Sequence, residues 1–416
     1  MIKINKPKIR FKNFNDSWSL RKLSDTQTDF KDGNYGEAYP KETDLTSSTQ
    51  GVPFLRGSDL DNGKLTLTNA RYITQSKHNE LISGHLIEDD IVIAVRGSLG
   101  SLGYVGPDNE GWNINSQLAI IRTRKIELIG NYLIQFLLSN RGNKEISSHI
   151  TGTALKQLPI KQLKNIKVPI PKIEEQSAIG SLFRTLDDLL ASYKDNLANY
   201  QSLKATMLSK MFPKSGQTVP EIRLDGFEGE WDLIKLGDFC DLITKGTTGK
   251  SQSEQGKVNF VKVENLKDNE IYPIVKISEE EHFGSLKRSI LYKGDILFSI
   301  AGTLGRTAIV KNNILPANTN QALAIIRGYK LDAYFLLVVL SGEVVKDYIR
   351  KNPTVGAQPN LSLEQVSSLK IKIPSIEEQQ AIGAYFSNLD NLIAAHQEKI
   401  SQLETLKKKL LQDMFL

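Results

Sequence analysis

The sequence predicts an α+β protein in which two similar mixed α/β domains are separated by two long helices. These helices are predicted to form an antiparallel coiled coil with pseudo-two-fold symmetry. Three observations support this fold class. A helical segment at residues 173–212 recurs at residues 376–415 with 17 of 40 positions identical. Strand-like runs precede each copy in the same order, and 416 residues are enough for two hydrophobic cores. The predicted domains are residues 1–172 and 216–375, and the predicted spacer helices are residues 173–215 and 376–416.

Each domain opens with a related segment, PKIRFKNFNDSWSLRKLSD at residues 7–25 and PEIRLDGFEGEWDLIKLGD at residues 220–238. The tryptophans of these segments, Trp18 and Trp231, are predicted to anchor the domain cores. Runs rich in β-branched and aromatic residues follow, with Gly, Asn or Asp at their ends, which indicates strands joined by polar loops. The runs correspond in pairs: 52–60 with 258–266, 90–100 with 295–305, and 114–122 with 319–327. Apolar segments typical of a helix come next, at 132–138 and 333–340.

Each domain closes with a strand-like run that ends in proline, and the long helix begins just beyond it. Ser375 and Glu378 have the Ser-x-x-Glu spacing of a capping box, which satisfies free N–H groups at a helix start. Two glutamates in the first turn of each helix place negative charge where the helix dipole favours it. Apolar residues then recur at spacings of three and four, which is typical of a coiled-coil seam. The predicted seam consists of Ile179, Leu186, Leu190, Tyr193 and Leu197 in the first helix, and Ile382, Leu389, Ile393, His396 and Ile400 in the second. Lys204 and Lys407 interrupt it at matching positions.

The length of these helices predicts how they pair. A helix of about 37 residues is about 55 Å long, and alone in water it would expose its whole apolar stripe, so it needs a partner. The nearest partner is its own duplicate. The linker at residues 215–220 is too short for a parallel arrangement, so we expect an antiparallel pair with a domain at each end.

Composition limits the class of protein. One cysteine, Cys240, excludes an intramolecular disulfide and fits a reducing compartment. The first residues have no apolar core of a signal peptide, and no apolar run is long enough for a membrane span, so we expect a cytoplasmic protein without membrane contact. The whole chain has a net charge of +6 and the two helical segments carry −3, so the rest of the chain carries +9. Excess positive charge on the domains suggests a polyanionic partner.

No catalytic pattern stands out. The glycine-rich stretch at residues 97–103 lacks the Lys-Ser/Thr of a phosphate-binding loop and predicts a turn between strands. The five histidines have no metal-ligand spacing, and there is no Gly-x-Ser-x-Gly or Asn-Pro-Pro-aromatic motif. Asp187 and Asp188 are predicted to lie on the solvated face of the first long helix. The sequence therefore predicts a protein that is not an enzyme.

The duplicated IEEQ…AIG…F…LD…L helix, which follows a strand ending in PIP or KIP, resembles the specificity subunits of type I DNA restriction–modification systems. The PxIR…F…W…KL segment at the start of each domain belongs to the same resemblance, which covers nearly the whole chain. It implies two target-recognition domains, each of which reads one half of an asymmetric bipartite site in double-stranded DNA. It also implies that the helices set the gap between the half-sites and dock two modification (methyltransferase) subunits, to which restriction (translocase/endonuclease) subunits are added. S-adenosylmethionine, ATP and Mg²⁺ would then belong to those partners.

Polar loop residues are the candidates for base contacts, because their side chains match the donor and acceptor pattern of the major groove. Residues that differ between the domains, such as Arg96 against Ala301, are predicted to encode different half-sites. Shared ones, such as Asn115 and Asn320, are predicted to be structural more often than specifying. The candidates are Arg56, Ser58, Arg96, Ser98, Asn113, Asn115 and Gln117 in the first domain, and Lys262, Asn265, Thr303, Arg306, Asn318, Asn320, Gln321, Gln358 and Asn360 in the second.

Two alternatives remain at this stage. A stand-alone DNA-binding regulator that dimerises through its helices would not need the internal duplication, since a homodimer supplies two domains. A fused restriction–modification enzyme would need methyltransferase and nuclease motifs, which we do not find in the sequence.

Overall fold

The computed structural model describes residues 2–3, 7–153, 155–249, 256–351 and 360–415. The chain divides into two compact units. Unit 1 comprises residues 1–194 and 398–416, and unit 2 comprises residues 195–397. Compactness thus groups each mixed α/β part with one end of each long helix.

The two long helices are α5 (Ile173–Lys210) and α10 (Ile376–Asp413). The remaining elements of unit 1 are, in chain order, β1 (Ile2–Lys3), β2 (Ser19–Lys22), β3 (Asp29–Asp32), β4 (Leu45–Thr46), β5 (Val52–Leu55), β6 (Leu60–Asp61), β7 (Lys64–Leu65), β8 (Arg71–Ile73), α1 (Gln75–Glu80), β9 (Ile91–Ala94), β10 (Leu102–Tyr104), β11 (Asn113–Ile114), β12 (Leu118–Arg122), α2 (Gly130–Leu138), α3 (Asn140–Ser148), α4 (Ile160–Leu163) and β13 (Lys167–Ile170).

Those of unit 2 are β14 (Asp232–Lys235), β15 (Cys240–Lys245), β16 (Val258–Val261), β17 (Leu266–Lys267), β18 (Glu270–Ile271), β19 (Val275–Ile277), α6 (Glu279–Phe283), β20 (Ile296–Ser299), β21 (Thr307–Ile309), β22 (Ala317–Thr319), β23 (Leu323–Tyr329), α7 (Ala333–Ser341), α8 (Glu343–Lys351), α9 (Leu363–Ser367) and β24 (Lys370–Ile373).

The two units share a four-stranded sheet of the same topology, and their other sheets are related but differ in strand number. A four-stranded antiparallel sheet has the order β10-β9-β12-β3 in unit 1 and, read from the opposite edge, β15-β23-β20-β21 in unit 2. In the registers, Ala119 pairs with Asp32, and Ala324 pairs with Lys245. A second sheet in each unit contains a parallel pair, β11 with β5 and β22 with β16. The predicted strand runs and the duplication are confirmed.

The hydrophobic cores are formed by the predicted strand runs and by the apolar helical segments that follow them. Every residue of β9 and of β20 is buried, and α2 and α7 cover these sheets with buried faces. Trp18 and Trp231 are 2% and 3% exposed and belong to the two main hydrophobic clusters, so both are core anchors as predicted. Residues 97–100 form the turn between β9 and β10, where Gly97 and Gly100 adopt positive φ angles that favour glycine.

In unit 1 the first part of α5 packs against the last part of α10. Asp187 forms an ion pair with Lys407, and Lys194 forms one with Glu404 at 2.6 Å. Residue numbers rise along one helix while they fall along the other, so the two segments are antiparallel. The prediction that Asp187 lies on the solvated face is wrong, because its carboxylate is drawn across to the lysine of the facing helix. Asp188 is exposed.

In unit 2 the last part of α5 packs against the first part of α10 with the same polarity. The rings of Tyr200 and His396 lie 5.1 Å apart, and Lys204 forms an ion pair with Asp390. Lys204 and Lys407, which interrupt the apolar stripe, are therefore the cationic partners in two equivalent cross-helix pairs. Of the predicted seam residues, Ile179, Leu186, Leu190, Ile382 and Leu389 are buried, and Tyr193, Leu197, Ile393, His396 and Ile400 are partly exposed.

In the part of the chain that the structure describes, no helix combines the length and the apolarity that crossing a membrane requires.

Candidate nucleic-acid interface

A buried polar network in unit 1 ties the start of α5 to the opening segment of the chain. Arg10 donates from Nε and Nη2 to the two carboxylate oxygens of Glu175, at 2.6 and 2.7 Å, and Trp18 Nε1 donates to the same carboxylate at 3.1 Å. The hydrogen bonds to Glu175 raise the pKa of Arg10. Gln176, the next residue, accepts from the backbone N–H of Ile129 and donates to two carbonyls.

Unit 2 repeats the arginine–glutamate part of this network but not the hydrogen bond of the tryptophan. Arg223 donates to both oxygens of Glu378, at 2.9 and 2.7 Å, and Gln379 accepts from the backbone N–H of Asp332. Trp231 Nε1 is buried and has no hydrogen-bond partner within the described residues. Ser375 accepts from the N–H of Glu378 as a capping box requires, but the Glu378 side chain is bound to Arg223 and does not return to the N-cap. The EEQ sequence thus joins each domain to its long helix through buried hydrogen bonds.

Four loops of unit 1 converge at one end of its sheets. A Cβ built on Gly33 would lie 2.2 Å from the carbonyl oxygen of Asn115, so the loop after β3 lies directly on the loop between β11 and β12. A Cβ on Gly57 would lie 3.5 Å from Cβ of Ser98, which brings the loop after β5 beside the turn after β9. The backbone N–H groups of Val95 and Arg96 donate to the carbonyl of Gln117. We name the exposed and partly exposed side chains of this surface edge 1: Tyr35, Arg56, Ser58, Arg96, Ser98 and Gln117.

Two arginines of edge 1 are held differently. Arg56 donates to the carbonyl of Asn69 and lies 3.7 Å from the buried carboxylate of Asp59. Arg96 is exposed, and its Cζ lies 5.5 Å from the ring centroid of Tyr35. Burial raises the pKa of Tyr35, an effect that Arg96 opposes.

Two predicted contacts of unit 1 are internal. Asn113 is fully buried and bonds to the ring of His78. Asn115 is 3% exposed, and its side-chain oxygen accepts from the N–H of Gln117. These amides shape the loops and do not face solvent. Ser58, Ser98 and Gln117 are exposed and remain candidates.

The equivalent surface of unit 2 carries other side chains. A Cβ on Gly246 would lie 2.1 Å from the carbonyl oxygen of Asn320, which is the contact that Gly33 makes in unit 1. Around it is a shallow cavity of about 300 Å³ with a floor formed by Phe260. We name its polar lining edge 2: Thr248, Lys262, Glu264, Asn320 and Gln321. Asn320 accepts from the N–H of Ala322, the role that Asn115 has in unit 1.

The other predicted contacts of unit 2 divide into buried and exposed groups. Asn265 is 3% exposed and accepts from the N–H of Lys262, and Asn318 is fully buried against His282 and Ser289, so both are structural. Thr303 and Asn360 are exposed. Arg306 is exposed and donates to the carbonyls of Val263 and Leu266. Gln358 lies outside the described residues.

Sequence reasoning missed Tyr35, Thr248 and Glu264. They lie on loops whose closeness to the other candidates is visible only in the fold, although Gly33 and Gly246, two residues before Tyr35 and Thr248, mark a close backbone approach. Within the described ranges no group of three or more His, Cys, Asp or Glu residues could hold a metal ion. Burial raises the pKa of the Cys240 thiol to about 11, so this cysteine is uncharged at neutral pH.

Comparison with known proteins gives the family. The family model for the type I restriction modification DNA specificity domain matches residues 17–199 and 228–405, once in each half of the duplication. The chain belongs to this family. The fold of this specificity subunit is similar to the crystal structure of a type I restriction-modification S subunit from M. genitalium, with a TM-score of 0.66, 18% identity and 99% of both chains covered.

Two curated relatives are specificity subunits from Methanocaldococcus jannaschii. The putative type I restriction enzyme MjaX specificity subunit is 24% identical over 95% of this chain and 92% of that protein. The type I restriction enzyme MjaVIII specificity subunit is 25% identical over 64% of this chain, and the match spans 65% of that protein's length. These likenesses confirm the resemblance to type I specificity subunits.

Proposed function

We propose that this specificity subunit reads an asymmetric, bipartite site in double-stranded DNA, one half with edge 1 and the other half with edge 2. The observation that carries the proposal is that equivalent loops on one scaffold present different side chains. Arg96 and Tyr35 occupy the positions that Ala301 and Thr248 occupy in unit 2. Two readers with the same frame and different exposed donors and acceptors select different base sequences.

Charge supports a DNA partner. The residues outside the long helices carry +9, which can neutralise phosphates and supply affinity that does not depend on sequence. Sequence selection then comes from the side chains of the two edges. Binding is expected to weaken steeply as salt concentration rises.

The same proposal assigns other tasks to partners. The long helices set the gap between the half-sites and dock two modification subunits, to which restriction subunits are added. The specificity subunit itself is non-catalytic, and S-adenosylmethionine, ATP and Mg²⁺ are bound by the partners. If the purified chain alone methylated or cleaved DNA, this assignment would be wrong.

Genome-wide mapping of methylated bases tests the reading of two halves. A host that carries this subunit with its modification partner should show one bipartite methylated sequence. Substitution of Lys262 and Glu264 by alanine should change one half of it, and substitution of Arg96 should change the other. A change in both halves from either variant would contradict independent reading.

The spacing role is tested by a matched double insertion. Four residues inserted between Lys194 and Asp195, together with four between Gln397 and Glu398, fall at the boundaries of the compact units and leave the pairing inside each unit intact. Each insertion adds about 6 Å of helix, which corresponds to about two base pairs. Both half-sites should be retained and the gap should grow by about that number. A single insertion in α5 is the control, since it breaks the register with α10. An unchanged gap in the double insertion would refute the spacing role.

A further inference from the structure

We infer that Arg96 is the residue that selects a guanine in the half-site read by unit 1, and that Tyr35 positions it. The inference rests on the proposed function and identifies a base and a residue within it. It follows from how Arg96 is held, and from the contrast with the other arginines of the same unit.

Arginines with internal partners are common in unit 1. Arg10 is bonded to Glu175, and Arg122 donates to both oxygens of the buried Asp90, at 2.8 and 2.7 Å. Arg56 is bonded to the carbonyl of Asn69 and lies beside Asp59. Each of these guanidinium groups is held by hydrogen bonds to acceptors of the protein, although Nη1 of Arg10 and Nε of Arg56 have no partner within the described residues. Arg96 is exposed and lies over the ring of Tyr35, and its charge also acts on that phenol and on Asp32. Within the described residues it forms no ion pair, and stacking on a ring leaves N–H groups at the edge of a guanidinium able to bind a ligand.

Tyr35 holds the guanidinium in place. Its hydroxyl donates to the carbonyl of Ser116 at 3.0 Å, which fixes the ring to the loop between β11 and β12. The backbone N–H of Arg96 donates to the carbonyl of Gln117, the next residue of that loop. The ring of Tyr35 and the backbone of Arg96 are therefore both fixed to the segment formed by Ser116 and Gln117. A guanidinium placed in this way loses little freedom when it binds, which favours a directional contact.

The chemistry of a fixed, edge-exposed guanidinium points to guanine. Its two parallel N–H groups match the O6 and N7 acceptors of guanine in the major groove, and this bidentate pair is the commonest specific contact of arginine with a base. Ser98 and Gln117, which flank Arg96 in edge 1, are exposed and can bond to neighbouring bases. In unit 2 the equivalent position is Ala301, so the second half-site cannot be read in this way.

The test is selection of bound duplexes from a random pool by the full chain assembled with its modification partner. The wild-type complex should enrich a bipartite sequence with a required guanine in one half. R96K keeps the charge but loses the fork, and should reduce the preference for that guanine by about ten- to a hundredfold while the other half is unchanged. Arg124→Ala is the matched control, since it removes an exposed arginine of unit 1 that lies outside edge 1 and should leave the guanine preference intact.

Two further measurements separate a base contact from a phosphate contact. Replacement of the required guanine by 7-deazaguanine removes N7, and should weaken binding of the wild type but not of R96A. Tyr35→Ala should lower the guanine preference several-fold at unchanged charge, whereas Tyr35→Phe should lower it less.

The outcomes distinguish the two levels of inference. If the wild type enriches no bipartite sequence, the proposed function fails. If a bipartite sequence is enriched and R96A weakens binding to all sequences equally, with a shallower salt dependence, Arg96 contacts a phosphate and the guanine assignment is overturned. An enriched sequence that R96A leaves unchanged also overturns it.

Discussion

The buried polar groups of unit 1 and unit 2 are nearly the same, whereas their exposed edges differ. Arg122 bonds to Asp90 at 2.7 Å, and Arg327 bonds to Asp295 at 2.6 Å. The rings of His78 and His282 bond to equivalent asparagines, Asn113 and Asn318. A buried charge that loses its partner costs several kcal/mol, so such pairs can change only together. No such penalty restrains substitution of the exposed Arg96 in edge 1, and unit 2 has Ala301 at the equivalent position.

The two networks at the helix starts show that equivalent motifs can still differ in satisfaction. Glu175 accepts from both Arg10 and Trp18, whereas the indole N–H of Trp231 has no partner within the described residues. The arginines differ as well, because Arg223 donates to the carbonyls of Glu228 and Gly229, whereas Arg10 donates to one carbonyl, that of Asp16. The duplication therefore preserves which residues meet but not how completely their hydrogen bonds are made.

The largest expected effect comes from a charge in the helix pair. Leu186→Asp and Leu389→Asp each place a carboxylate at a buried position and should lower the free energy of unfolding of their unit by more than about 3 kcal/mol. The controls are Leu189→Asp and Leu392→Asp, at exposed positions three residues on, which should cost less than about 1 kcal/mol. Chemical denaturation, monitored for each unit by hydrogen exchange, measures the loss of unfolding free energy in the buried and the exposed variants. Equal losses in the buried and exposed variants would contradict the packing of the helices.

Removal of the buried carboxylates should distinguish the two networks. Glu175→Ala leaves Arg10 and the Trp18 indole without their shared acceptor and should cost about 3–5 kcal/mol. Glu378→Ala should cost less, because no indole loses its acceptor there and Arg223 keeps two carbonyl acceptors where Arg10 keeps one. Calorimetric unfolding gives the two values, with Glu174→Ala, at the exposed neighbouring residue, as the control. A larger loss in unit 2 than in unit 1 would show that hydrogen-bond count does not rank these sites.

The cross-helix ion pairs should have smaller effects. Asp187→Ala removes a partly exposed pair with Lys407 and should cost about 1 kcal/mol, and Asp390→Ala should cost a similar amount through Lys204. Exchange of the charges, Asp187→Lys with Lys407→Asp, should recover most of the loss. Urea denaturation at low and high salt measures the difference, which should shrink as salt rises. A loss that is independent of salt would point to packing as the cause.

The smallest expected effect is a pH dependence confined to unit 1. Glu127 accepts from the N–H of Gln27 and pairs with Arg21, and these hydrogen bonds lower its pKa. Its contribution is present above the unfolded pKa of about 4.3 and is lost as pH falls through the lower folded value. Glu127→Gln should abolish this acid-dependent loss, which we expect to be below about 1 kcal/mol. Lys330, at the equivalent place in unit 2, cannot supply it.

Much of the fold follows from local pattern. Apolar spacings of three and four predicted the helices α5 and α10, and the runs that end in proline predicted where these helices begin. Runs of β-branched residues between polar residues predicted the strands of the sheets. The amphipathic stripes required partners, and the short linker left the antiparallel arrangement that both units contain. Wrong expectations arose where a side chain reached across to another segment. Asp187 and Glu378 were assigned from their own helix, but each is bound by a cation more than 150 residues away in sequence.

The candidate site was less accessible to the same reasoning. A polar residue on a predicted loop can serve the loop or a ligand, and sequence alone does not separate the two. Asn113 and Asn318 are buried beside histidines from other segments, and Asn265 is buried with its side-chain oxygen bonded to the backbone N–H of Lys262 in its own turn. Tyr35 reaches edge 1 because Gly33 allows the backbone to approach the loop at Asn115.

The repeated periodicities of the amino-acid sequence are sufficient for the duplicated domains, the paired helices and the family, because each depends on residues near one another or on their recurrence along the chain. The choice of which polar side chains face solvent at the two edges belongs to the tertiary structure. The physical reason is that loops far apart in sequence contact one another in the fold. Their close backbone approach and hydrogen bonds bury some polar side chains and leave others, Arg96 among them, exposed.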